Sequence, residues 1–319
     1  MQSFEFLSKQ FAEHFKGRHF PEEPASLYDP NEYFLKLGGK RIRPVLCLMG
    51  NELFDEMNPD TWHTATAIEL FHNFTLIHDD IMDKAPLRRG MQTIHSKFGE
   101  STALLAGDVM LVKAYEYLNM IDTSFLHKVL TLFNRTAIEV CEGQQLDMDF
   151  EKKETVSLAE YLKMIELKTS VALAASLQIG AILGGAGARN QNLLYEFGKK
   201  LGMAFQVQDD YLDAFGNPEK FGKQVGGDII ANKKTFLLIH ANESAPHKKE
   251  LEKINRENPS DKVEKVLSVY KSCKADEWAL RLKNKFLDEA LLHLDDIAVL
   301  SVRKEPLKEL AHFLIQREY

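Results

Sequence analysis

Helix breakers are scarce in this chain. Only 10 prolines fall in 319 residues, and strand-like alternation of apolar and polar residues is nearly absent. That excludes a sheet-rich protein and leaves Leu, Ala, Glu and Lys to favour an all-α fold. Cysteine is scarce too. Cys47, Cys141 and Cys273 are odd in number, widely spaced and without a histidine at metal-ligand spacing, which argues against a disulfide framework or a zinc site. Excess positive charge is missing: 40 Lys and Arg face 47 Asp and Glu, a net −7, so a nucleic-acid partner has no electrostatic support. Long apolar runs are missing as well. The longest, Val171 to Ala186, is broken by Ser176 and Gln178, reads as too short to span a bilayer and is expected to be a buried core helix. Met1 to Phe15 mixes acidic, basic and apolar residues, unlike a signal peptide. A cytoplasmic chain that does not span a membrane is expected.

What is present is ordinary globular composition, 45% hydrophobic and 27% charged, in a chain long enough to bury a large core. No repeat or low-complexity linker marks a boundary, so one domain over residues 1–319 is expected. Roughly ten to thirteen helices are separated by short turns: Gly38-Gly39, Pro86 to Gly90, Gly184 to Gly187 and the polar loop from Gly216 to Gly227. Asn258 to Asp261 reads as the start signal of a helix running to about Lys274.

Six aspartates are concentrated in two short motifs. The first closes the segment ELFHNFTLIHDDIM, which has helical apolar spacing and no breaker. Asp79 and Asp83 stand one helical turn apart and share a face with Phe71, Phe74, Thr75 and His78. Two carboxylates so placed suit a hard divalent cation, above all magnesium, which keeps waters and adds phosphate oxygens to a few carboxylates. Asp80 is rotated off this face and supplies a further acceptor, directly or through water. A solvated acidic patch explains the motif poorly, because anions at a helix C-terminus oppose the macrodipole. Arg88 and Arg89 follow at once, paired guanidinium donors shaped for phosphate oxygens.

The second motif, FQVQDDYLD, carries Asp209, Asp210 and Asp213, with Gln206 one turn before Asp209. The glycine-containing loop after it holds Lys223, Lys233 and Lys234. Lysines beside carboxylates are often plain surface pairs, but beside a second metal motif they point to diphosphate. Upstream, GGKRIRP opens a helix with Lys40, Arg41 and Arg43, a cationic cluster that calls for a bound anion. Lys168-Thr169 stands just ahead of the apolar stretch, where a polar pair reads as a helix boundary.

These five segments, in this order over most of the chain, resemble the polyprenyl synthetase family of trans-isoprenyl diphosphate synthases. The resemblance implies an isoprenoid synthase-type helical bundle with a deep central cavity, a homodimer, and two substrates, isopentenyl diphosphate and an allylic prenyl diphosphate. It implies that Asp79, Asp83 and Asp209 hold Mg2+, with Mn2+ a substitute, supported by Asp80, Asp210 and Asp213. Arg88, Lys168, Lys223 and Lys233 resemble the allylic diphosphate donors, and Lys40, Arg43, His72 and Arg89 the isopentenyl diphosphate pocket. Thr169 and Gln206 resemble the dipoles near the developing carbocation, and Gln144 and Asp147 a supporting shell.

Product length is expected to depend on Phe74 and Phe71, which lie along the aspartate face before the first motif. The motif lacks the two-residue insertion of typical bacterial farnesyl enzymes, and Thr75 is not aromatic as in eukaryotic ones. An aromatic at Phe74 alone resembles archaeal-type geranylgeranyl synthases, so geranylgeranyl is favoured over farnesyl. Three rival readings arise. A terpene cyclase shares the fold and first motif but carries a different second motif and no basic isopentenyl pocket. A metal-dependent phosphohydrolase would need histidines such as His63, His72 or His78 as ligands, yet His78 is turned about 100° from Asp79. An inactive partner subunit would not need both carboxylate motifs intact.

Overall fold

A computed structural model describes residues 1–216 and 226–316. Among them, secondary structure is helical apart from a two-residue antiparallel pairing of β1 (Leu87–Arg88) with β2 (Met91–Gln92). The helices are α1 (Phe4–His14), α2 (Ala25–Leu35), α3 (Ile42–Glu52), α4 (Asp60–Met82), α5 (Ile94–Phe98), α6 (Glu100–Leu118), α7 (Thr123–Lys152), α8 (Leu158–Ile165), α9 (Val171–Leu183) and α10 (Ala188–Phe215). They continue as α11 (Gly227–Ile230), α12 (Phe236–Asn242), α13 (Ala245–Glu257), α14 (Lys262–Ser272), α15 (Ala275–Asp295) and α16 (Ser301–Gln316). The excess over ten to thirteen comes from pieces such as α5, α11 and α12, which are too short to show a periodicity. The α14 start after Asp261 and the α9 stop before Gly184 fall where the turn residues place them.

Cα packing divides the chain into two compact units, one of residues 1–133 and 176–191, the other of residues 134–175 and 192–319. In the first, α4 is the central helix and packs chiefly on α6. From Thr64 to Phe71 every α4 residue is buried, so its apolar side chains run all round rather than along one stripe. In the second, the core gathers around Tyr161, Phe197, Phe236 and Trp278, with Phe236 meeting both Tyr161 and Trp278 at ring-centroid distances of 5.8 and 5.6 Å.

Between α8 and α9 lies a π-helical turn, Glu166–Ser170, so residues Leu158–Leu183 are one continuous helix of 26 residues. This corrects two sequence expectations. The apolar stretch is not too short to span a bilayer: by length and composition this helix passes, but 83% of its apolar window is buried inside the protein, as in a core helix. Lys168 and Thr169 do not mark a helix boundary either. They sit in the π-turn itself, and such turns recur at functional sites.

Cys47 is buried, Cys141 exposed and Cys273 partly buried, and none forms a disulfide.

Candidate active site

In the first unit the aspartate motif closes α4. Asp83 is its C-cap, and its backbone N–H donates to the Asp79 carbonyl at 2.9 Å, so the helical turn between the two carboxylates is complete. Asp79 is part-exposed and Asp83 exposed. Asp80, between them, is only 1% exposed and takes another partner. Arg88 Nε donates to both Asp80 oxygens at 2.8 and 2.9 Å, its Nη2 reaches Oδ1 at 2.8 Å, and Asp79 Oδ2 lies 3.6 Å away. Burial pushes the Asp80 carboxyl above its ordinary value, against the pull of Arg88.

A tight hairpin returns Arg88 to the motif. Arg89 (φ 52°) and Gly90 (φ 78°) are its two turn residues, both left-handed as a type I′ turn requires. Glycine or asparagine would hold that geometry with less strain than an arginine. Its guanidinium lies over the glycine turn: a Cβ on Gly39 would stand 2.9 Å from Arg89 Nη2. Arg41, the N-cap of α3, is left-handed too (φ 50°).

Arg41, Arg43, Arg88 and Arg89 converge on His72. Burial, then Arg43, Arg89, Arg88 and Arg41, hold its imidazole well below the ordinary value, so it is neutral. Arg43 Nη1 contacts His72 Nε2 at 3.1 Å. A guanidinium can only donate, so Nε2 accepts and the imidazole proton sits on Nδ1. Burial pushes Arg43 down to about 10, with Glu69 opposing, so it stays cationic at neutral pH. Lys40, which precedes Arg41 in the chain, is exposed.

Glu69, 3% exposed, is the acidic anchor that sequence reasoning missed. It accepts from Arg41 Nη1 and, at 2.7 Å, from Asn73 Nδ2. A glutamate inside the apolar run Ala67 to Phe71 was the available signal, because a buried carboxylate demands a cation.

The aromatic residues before the motif form a row. Phe74 is half-buried between His78 and Phe71, at 4.7 and 5.9 Å, and Phe71 continues to Phe133 at 5.2 Å. The His78 ring packs against Gly107 of α6, with Nε2 3.2 Å from the Leu104 carbonyl. His78 thus belongs to the α6 contact and not to the aspartate face. The Thr75 hydroxyl donates to the His72 carbonyl at 2.8 Å, turned onto its own helix.

In the second unit, the π-turn faces α7 and α10. Lys168 Nζ pairs with Asp147 Oδ2 at 2.6 Å, and Gln144 lies one turn earlier on α7. The approach is close enough that a Cβ on Gly143 would stand 2.2 Å from the Lys168 backbone nitrogen. Thr169 Oγ1 donates to Gln206 Oε1 at 3.0 Å, and Gln206 Nε2 donates to Asp210 Oδ1 at 2.8 Å. The other Asp210 oxygen accepts from the Tyr161 hydroxyl at 2.6 Å. Burial, then Asp228, pushes Asp210 up to about 7. Asp209 is part-exposed on the same helix, while Asp213 Oδ2 accepts the Asp228 backbone N–H at 2.9 Å and ties the start of α11 to α10. Lys233 lies 3.7 Å from Asp228 Oδ1. Lys223 lies outside the described residues. Tyr161 was missed by sequence reasoning, since a lone tyrosine on an apolar helix face carries no signal of its own.

Neither unit holds, among the described residues, a group of three or more His, Cys, Asp or Glu side chains set to hold a metal. Each motif instead offers one helix face of hard carboxylate oxygens. That donor set fits a divalent cation that completes its shell with water and phosphate oxygens.

Residues 24–273 match the model of the polyprenyl synthetase family. A geranylgeranyl pyrophosphate synthase of Geoglobus acetivorans is 38% identical over 301 residues, covering 93% of each chain. A geranylfarnesyl diphosphate synthase of Natronomonas pharaonis is 34% identical over 319 residues, covering 93% of this chain and 92% of its own. The crystal structure of a geranylgeranyl pyrophosphate synthase, 42% identical, matches with a TM-score of 0.95 over 100% of both chains. With both carboxylate motifs and the arginine cluster in place, and with relatives aligned almost end to end, this chain belongs to the polyprenyl synthetase family.

Proposed function

We propose that the chain is a short-chain trans-prenyltransferase. It condenses isopentenyl diphosphate with an allylic prenyl diphosphate, and geranylgeranyl diphosphate is favoured over farnesyl as product. The observation that carries this reading is the convergence of Arg41, Arg43, Arg88 and Arg89 on a neutral His72 directly beside the first aspartate motif. Among the described residues, Glu69 and the motif itself offset that charge. Such a group of guanidiniums is stable when a polyanion binds it. A terpene cyclase has no use for a second diphosphate pocket, and a phosphohydrolase would need His72 and His78 as ligands, whereas one accepts from Arg43 and the other packs on α6.

In this reading Lys40, Arg43, His72 and Arg89 hold isopentenyl diphosphate, and Arg88, Lys168, Lys223 and Lys233 hold the allylic diphosphate. Asp79, Asp83 and Asp209 would bind a divalent cation, Mg2+ or in its place Mn2+. When bound, the cation adds positive charge beside the leaving diphosphate. The partners of the other three aspartates support a secondary part for them, since Asp80, Asp210 and Asp213 already accept from Arg88, Tyr161 and the Asp228 backbone. Cationic side chains fixed around the allylic diphosphate favour its departure, because they meet charge that develops as the C–O bond breaks. Thr169 turns its oxygen dipole toward the resulting cation with Gln206 accepting its proton, and Gln144 and Asp147 steady Lys168. The isopentenyl double bond attacks, and the departing diphosphate takes the proton that is lost, so no side-chain nucleophile is needed. Water must be kept out.

We place the enzyme in the cytoplasm as a single-domain protein that pairs with a second copy. The apolar Leu104, Leu105 and Val112 exposed along α6 support self-association.

The decisive assay incubates the full chain with isopentenyl diphosphate, labelled allylic diphosphates and Mg2+, followed by chromatography. Elongated prenyl diphosphate is expected. Release of diphosphate without elongation would reject the reading. Product length is tested by Phe74→Ala. Removing a half-buried ring from the Phe71–His78 row opens the space before the motif, so longer products are expected. An unchanged distribution would remove Phe74 as the length determinant.

A further inference from the structure

We propose that Tyr161 is a positioning residue for the ionisation step: through Asp210 it fixes the Gln206 amide so that Thr169 presents a hydroxyl oxygen, and not its proton, to the reacting carbon. The inference rests on the prenyltransferase reading and on the place that reading gives to Thr169 and Gln206.

Bond polarity along the row leads to it. As a carboxylate, Asp210 accepts at both oxygens, and the Gln206 group 2.8 Å from Oδ1 is the NH2. The amide therefore turns its oxygen to Thr169, whose hydroxyl spends its only proton there, at 3.0 Å. What the Thr169 oxygen has left is lone pairs, the electron-rich face that a neighbouring carbocation favours. If the amide were reversed, its NH2 would donate to Thr169, whose hydroxyl proton would then be free to point elsewhere. The order of the whole row depends on Asp210 keeping its orientation. The Tyr161 hydroxyl sets that orientation by holding the second carboxylate oxygen at 2.6 Å.

The backbone is shaped for this. Tyr161 and Thr169 are eight residues apart, which in an uninterrupted α-helix turns their side chains about 80° from each other. The π-turn at Glu166–Ser170 takes up one extra residue and reduces that angle to about 20°. Both side chains thereby reach the same face of α10, where Asp210 and Gln206 are one turn apart. Close backbone approach holds the turn in place. A Cβ on Gly202 of α10 would stand 2.6 Å from Ser170 Cα, as one on Gly143 would crowd Lys168. A tyrosine that served packing alone would need any nearby acceptor. This one, 1% exposed, is matched to the carboxylate that also orders Gln206.

The test is a double-mutant cycle on the full chain. Tyr161→Phe keeps the ring and its packing on Phe236 and removes one hydroxyl. We expect kcat to fall about tenfold, with KM for both diphosphates within about twofold and the circular dichroism spectrum unchanged. In a Thr169→Val background, and again in Gln206→Leu, Tyr161→Phe is expected to cost less than about twofold, because the row it orders is already broken. An equal loss in all backgrounds, a change in KM alone, or wild-type turnover of Tyr161→Phe would overturn the proposal. Failure of the underlying reading looks different: Thr169→Val and Gln206→Leu would by themselves leave kcat unchanged.

Discussion

Asp79→Ala is expected to lower kcat for prenyl elongation by about 10³-fold, the scale seen when a group that stabilises developing charge is removed. The protein should remain folded. Asp79 is part-exposed near the C-terminus of α4, where a carboxylate opposes the helix dipole, and its Arg88 contact is long at 3.6 Å. A stability change within about 1 kcal/mol is expected. Asp80→Ala makes the contrast. It strips a bidentate partner from Arg88 in a buried pair and is expected to cost about 3 kcal/mol in stability. Steady-state kinetics against Mg2+ concentration, paired with urea unfolding of both variants, separates the two. Normal turnover in Asp79→Ala would overturn its metal assignment.

Arg41→Met should have the largest effect on stability. Its guanidinium is the charge partner of the buried Glu69 carboxylate, donates to the Leu35 carbonyl at 3.1 Å and lies over the Phe15 ring at 4.9 Å. Removing it takes the ion-pair partner from a buried carboxylate and leaves Asn73 as its neutral donor, an arrangement that costs about 3–5 kcal/mol. The double variant Arg41→Met/Glu69→Leu is expected to recover most of that loss, because the uncompensated charge is gone as well. Urea midpoints at constant slope measure both. A double variant no more stable than the single would show that packing on Phe15, and not the ion pair, was the source of the loss. The two arginines of GGKRIRP therefore differ. Arg43 faces His72, while Arg41 ties the glycine turn to α4, a division invisible in a run of adjacent basic residues.

Much of the site was legible because its chemistry is local. Asp79 and Asp83 are one turn apart by helical spacing alone, and the structure completes that turn. Arg88 and Arg89 stood out as a guanidinium pair after the motif. Their destinations were not legible: the hairpin sends one back to Asp80 and the other over Gly39, because left-handed φ values at Arg89 and Gly90 reverse the chain within two residues. Apolar periodicity likewise identified the long helices and passed over α11 and α12.

The sequence by itself determined the all-α class, the two carboxylate motifs and the cationic segments, since each depends on residue type and on spacing within one helix or turn. Tertiary structure alone decided which charges meet and which polar groups order one another. Glu69 became an anchor because α4 is buried throughout Thr64 to Phe71. Lys168 meets Asp147 and Thr169 meets Gln206 because a π-turn, admitted by Gly143 and Gly202, turns them toward α7 and α10. The physical reason is range. Helical spacing acts over a turn, but the pairing of Tyr161 with Asp210 joins residues 49 apart, and only packing brings them within 2.6 Å.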